Sequence, residues 1–201
     1  MNDSKIQFST AETDLMNNSE IILTKNIVLQ KIQKLLAQIV TKEMEYVKQQ
    51  SINHLPNFIV PPKISKGENY GGLPYLILDY PRVFEKENIM AIRHMFWWGN
   101  AFSITLHLSG RYKKELLPQI IDAYGYFSDG GYFINASDDQ WMHAIEQPNY
   151  IAVKAVNAEE FEKACKKFNH LKLATSWPLT DVNVLTEPLV AGWKRLIEIV
   201  V

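Results

Sequence analysis

Cysteine is nearly absent: Cys165 stands alone among 201 residues. No intramolecular disulfide can form, whereas small secreted domains usually carry several, so a reducing compartment, the cytoplasm, is the expected location. Charge of one sign is missing too, with 21 Lys and Arg against 22 Asp and Glu and a formal net charge of -1. Without a global positive field, neither nucleic acid nor an anionic membrane is expected as a partner. No stretch approaches the roughly 18 uninterrupted apolar residues of a membrane span; the terminal run from Leu196 to Val201 is short and broken by Glu198. The first twenty residues lack the apolar core and small-residue cleavage pattern of a signal peptide, so export by the usual route is not expected.

Diagnostic catalytic and cofactor patterns are also lacking. There is no G-x-G-x-x-G, no P-loop, no G-x-S-x-G elbow and no H-E-x-x-H, so no cofactor and no nucleophile is implied. The glycine-punctuated GENYGG at 67–72 precedes a β-rich run instead of opening a helix, which leaves it a flexible connection. No repeat, low-complexity tract or linker divides the chain, which reads as one domain over 1–201, with the polar, aperiodic residues 1–18 a loose segment.

What remains is material for one sizeable core: 47% hydrophobic and 11% aromatic residues, with an ordinary charged fraction of 21%. Apolar residues at three- and four-residue steps predict a long helix over about 27–49, from Val28 and Ile32 to Val47. Pro56, Pro61 and Pro62 then exclude a helix and leave Phe58 to Val60 extended. The run from Tyr75 to Tyr80 reads as a strand covered on both faces. A helix with the stripe Tyr112, Leu116, Leu117, Ile120, Ile121 and Tyr124 is kinked or restarted at Pro118, and short strands are expected at 132–135, 140–145 and 150–153. Asn157 with Glu160 forms a capping box for a helix over 158–169. Leu171 to Trp177 is extended, and a final helix opens at Thr186, Glu187 and Pro188.

The most informative stretch is NIMAIRHMFWWGNAFSITLHLSG at 88–110. Two β-rich runs flank Gly99 and Asn100, which predicts a hairpin over about 88–109 closed by a two-residue turn. That turn sets Trp98 opposite Ala101 and Trp97 opposite Phe102. One face then receives Trp97, Phe102, Met95, Ile104, Arg93 and Leu106; the other receives His94, Phe96, Trp98, Ser103, Thr105 and His107. The fold class is α+β: a mixed or mainly antiparallel sheet with this hairpin at its centre, packed by a long N-terminal helix, a middle helix and two C-terminal helices.

In this pairing His94 and His107 are diagonal neighbours. They either make ordinary polar contacts with Ser103 and Thr105 or share a metal ion with a third ligand such as His143 or Asp79. Asp79, closing an apolar run, is either a desolvated acid or the partner of Arg93. The candidate ligand-binding residues are accordingly His94, Phe96, Trp98, His107 and Asp79. The expected function is a non-catalytic domain binding a small molecule or a protein through that aromatic and histidine face. The alternative is a small intracellular enzyme using His and Asp in acid-base or metal-assisted chemistry. Self-association through a sheet edge or the apolar C-terminal helix is a third possibility.

Overall fold

The computed structural model describes residues 6–201. The segment expected to be loose contains helix α1, Thr10–Asn17, while residues 1–5 of that expectation lie outside the described residues. Its start is a capping box: the Ser9 hydroxyl accepts from the Glu12 amide at 3.3 Å, and the Ser9 amide donates to Glu12 Oε2 at 2.7 Å. Helix α2, Ser19–Gln49, begins earlier than its periodicity indicates, because the Asn18 side chain caps the Glu20 amide. Its core stripe is Leu29, Ile32, Leu36, Ile39, Glu43 and Val47. The first three turns bear exposed Ile21, Ile22, Leu23 and Ile27, and α1 buries nothing.

Pro56 does not prevent a helix. It occupies the first position of the single turn α3, Pro56–Ile59, where its missing amide is no loss. Strands β1, Lys63–Tyr70, β2, Leu73–Phe84, β3, Ile89–Trp97, and β4, Ala101–Ser109, form a meander. GENYGG is thus mostly strand, with only Gly71 and Gly72 turning. Helices α4, Gly110–Asp122, and α5, Tyr124–Asp129, follow, and α4 continues through Pro118. Then come β5, Phe133–Asn135, β6, Tyr150–Ala152, α6, Ala158–Lys167, β7, His170–Pro178, and α7, Thr186–Val200. The strand expected at 140–145 is part of an irregular strap, residues 136–149.

Seven strands of the described residues form one antiparallel sheet in the order β1-β2-β3-β4-β7-β5-β6. The structure is α+β, as the sequence indicates, with a long N-terminal helix. The hairpin is present at the predicted place, but its register differs by one residue. Trp97 pairs with Ala101 and Phe96 with Phe102, leaving Trp98, Gly99 and Asn100 as a three-residue loop. A two-residue type I′ turn needs positive φ at both central residues, and only Gly99 has it, at 71°.

That single step re-sorts the hairpin's faces. Phe102, Ile104, Leu106 and Leu108 join Ile92, His94 and Phe96 on one face. With Leu76 and Leu78 of β2 and Leu171 and Leu173 of β7, these residues form the core beneath α2, α4 and α7. The stripe of α7 that sequence offered for self-association, Leu189, Val190, Trp193, Leu196 and Ile197, is buried here. Trp193 stacks on Tyr80 at 5.8 Å between ring centres and donates to its carbonyl at 2.5 Å.

Candidate functional site

Alternation along β2, β3, β4 and β7 places Asp79, Arg93, His107, His170 and Lys172 together on the second face, the side away from the main helices. Asp79 is the cross-strand partner of Arg93, His107 of Lys172, and Ser109 of His170. The guanidinium of Arg93 grips Asp79 with two bonds, Nε to Oδ1 at 2.7 Å and Nη2 to Oδ2 at 2.9 Å. The Asp–Arg alternative for Asp79 is therefore the one realised, and the fork geometry explains it. Arg93 Nη1 lies 3.1 Å from His143 Nε2. Arginine can only donate, so this nitrogen accepts and the imidazole carries its proton on Nδ1.

The strap covers this face and is pinned from below. Tyr70 accepts at its hydroxyl from the amides of His143 and Ala144, at 2.7 and 3.1 Å. The carbonyl of Met142 accepts from Tyr150 at 3.2 Å and from the Lys172 ammonium. Trp141 lies edge-on to His107, their ring centres 5.7 Å apart. Burial under the strap sets the electrostatics. It pushes Lys172 down to about 7, helped by the nearby Arg93 charge. His107 is held at about 3 and His143 at about 2, in each case by burial first and Lys172 second. His170 is lowered for the same two reasons. The cluster is thus a set of neutral imidazoles around the Arg93 guanidinium and a lysine whose charged form burial disfavours.

The residues singled out by sequence do not form one site. His94 and Phe96 belong to the core face, both buried. His94 Nε2 lies 2.6 Å from Glu43 Oε1 of α2, and both side chains are fully buried. Burial raises the Glu43 carboxyl, while His94 pulls it the other way. Trp98 sits in the hairpin loop, edge-on to Phe96. Asp79 and His107 are on the opposite face. A metal shared by His94 and His107 is ruled out, because the sheet itself separates them. Among the described residues no three His, Cys, Asp or Glu side chains are grouped to hold a metal ion. Cys165 is buried and its thiol is pushed up to about 12 by that burial, so it is inert as a nucleophile.

Lys172 and His170 are the residues of this candidate site that the hairpin reading missed. Their signal was available in HLKLATSW, where His170, Lys172, Ala174 and Ser176 alternate with Leu171, Leu173 and Thr175.

At one end of the second face lies a cleft of about 680 Å³. Its walls are the β2–β3 turn with Lys86 and Glu87, the first turns of α4 with Lys113, Lys114 and Leu117, and the strap with Asp138 and Gln140. The end of α6 and the start of β7 complete it with Lys166, Phe168 and His170. The imidazole of His170 stacks on Phe168, 5.7 Å between ring centres at 16°. Its Nε2 faces Asn135 Nδ2 at 3.1 Å. Asn135 is held in that orientation because its Oδ1 accepts from the Lys172 amide at 2.7 Å. Nε2 must therefore accept, which puts the proton of neutral His170 on Nδ1, toward no acceptor among the described residues. A smaller cavity of about 210 Å³ lies near the hairpin loop, bordered by Trp97, Ser103, His143 and Ser176.

Compared with known proteins, the chain matches no family model, and no curated protein or solved structure is significantly similar to it. No helix among the described residues is long and apolar enough to cross a membrane.

Proposed function

We propose that the chain is a non-catalytic binding domain for a small molecule, and that the ligand occupies the cleft between the β2–β3 turn, α4, the strap and β7. The supporting observation is the His170 side chain. It lines the cleft, is only 5% exposed and presents an Nδ1–H with no acceptor among the described residues. That N–H opens into the cleft and is free to donate to a bound ligand, and the volume falls within the roughly 300–1,000 Å³ of ordinary ligand sites. The acid-base candidates that the sequence offered are largely committed to partners within the fold, which supports binding over catalysis. Asp79 and His143 are both engaged by Arg93 and roofed by the strap, and His94 is committed to Glu43 in the core.

Filling the cleft tests this reading. Leu117→Trp places an indole in the space beside α4. Ligand-observed NMR against a mixed set of small metabolites is expected to find compounds that bind the native chain and lose binding in Leu117→Trp, with unfolding midpoints unchanged. If every compound that binds does so equally well to both proteins, the cleft is not the site.

A further inference from the structure

The chemistry around this cleft is one-sided. Four lysines, Lys86, Lys113, Lys114 and Lys166, line it against two carboxylates, Glu87 and Asp138. Helix α4 begins there, and Ser109, in its capping position, does not cap it. The Ser109 hydroxyl is spent elsewhere, accepting from the Ile89 amide at 3.0 Å and donating to the Glu87 carbonyl at 2.8 Å. Of the first-turn amides, that of Arg111 is taken by Asn88 Oδ1 at 2.9 Å. No acidic residue occupies that turn; Arg111, Lys113 and Lys114 stand instead at the positive pole of the helix, where cations are disfavoured. Arg111 is matched by Glu85 and Lys166 by Glu162. Lys113, only 8% exposed, donates to the Phe168 carbonyl but forms no ion pair among the described residues, and neither does Lys86 or Lys114. These lysines bring positive charge to the cleft wall without ion-pair partners of their own, next to the His170 Nδ1–H, which is free to donate into the same space.

Resting on the reading of the cleft as the ligand site, we infer that it receives the phosphate group of a small phosphomonoester. Lys113 and Lys114 pair with the phosphate, the start of α4 faces it, and His170 Nδ1 donates to it. The cleft is several times larger than a phosphate ion, so the organic part of the ligand lies along Leu117 and Phe168.

The test titrates the full chain, followed by amide and imidazole NMR shifts, with inorganic phosphate, glucose 6-phosphate and glucose. Inorganic phosphate and glucose 6-phosphate are expected to saturate shifts at Gly110 to Lys113 and at His170, with glucose silent and affinity falling as salt rises. Lys113→Met and, separately, the exposed Lys114→Gln are each expected to weaken phosphate by about tenfold or more, the loss of one charge-assisted contact. Lys114→Gln keeps the test decisive if Lys113→Met unfolds. Unchanged affinity in Lys114→Gln, or shifts spread evenly over surface lysines, overturns the inference. Glucose binding as well as its phosphate ester, and being lost in Leu117→Trp, overturns the anion assignment while leaving the cleft as a binding site. No cleft binding by any compound removes both.

Discussion

At the scale of single residues, burial has been applied to groups that resist it, and their costs can be separated. Glu43 and His94 satisfy each other through one contact at 2.6 Å, leaving Glu43 Oε2 and His94 Nδ1 without protein partners. Removing one member strands the other, so Glu43→Leu is expected to lose about 3–5 kcal/mol of unfolding free energy. The double replacement Glu43→Leu with His94→Leu is expected to recover most of that loss. Urea unfolding of the three proteins decides it; a double variant no better than the single would show that the pair is net stabilising. His107 and His143 make a different prediction. Their native values of about 3 and about 2 lie below the ordinary value of 6.5, so on acidification the unfolded chain takes up protons that the native chain does not. Their contribution to stability is therefore fully present above about pH 6.5 and is lost as pH falls, at up to about 1.4 kcal/mol per pH unit for each histidine. His143→Gln is expected to flatten unfolding free energy against pH over that window, and an unchanged slope would mean that His143 is already protonated in the native state.

Among the elements, the hairpin loop and the strap decide which groups meet. Gly99, at φ 71°, is the one residue of the loop in the left-handed region, and a Cβ there would find nothing closer than Leu73 Cδ1 at 3.9 Å. Gly99→Ala thus carries a backbone cost alone, expected at about 1–2 kcal/mol, and Gly99→Asn less, because asparagine tolerates that region. Equal losses in the two variants, measured by thermal or urea unfolding, would place the cost in side-chain packing. The strap has almost no regular structure, yet it buries the second face because its Met142 carbonyl and its 143 and 144 amides are captured by Tyr150, Lys172 and Tyr70. Strand periodicity over 140–145 failed for that reason: side chains of the sheet, not a neighbouring strand, satisfy this backbone.

Over the whole molecule, stability resides in the sheet and the helices packed on its core face. Strands β1 to β4 and β7 pair side by side, with register irregularities only at Gly67–Tyr70 and Asp79–Arg82, and α2, α4 and α7 cover them together. Helix α1 buries no residue. Removing residues 1–17 is accordingly expected to leave the unfolding free energy from urea titration within about 0.5 kcal/mol of the full chain, with one cooperative transition in both. A second transition, or a larger loss, would show that the N-terminal helix carries tertiary contacts of its own.

Local chemistry was sufficient for much of this. The 3.6-residue stripe of α2, the Asn157 and Glu160 capping box of α6 and the alternation of β3 and β4 are written in neighbouring residues, because each depends on spacings of a few positions along one element. The α+β class followed from their order. Pairing was not legible to the same degree: a one-residue difference in the loop at Gly99 moved His107 to the face opposite His94, and only the ladder with β2 and β7 sets which side faces the helices. The meeting of Lys113, Lys114 and His170 was likewise a tertiary event, since α4 and β7 are about 60 residues apart and converge only because β4 pairs with β7. Side-chain chemistry is carried by the sequence, but which charges are left facing one another without partners depends on long-range register.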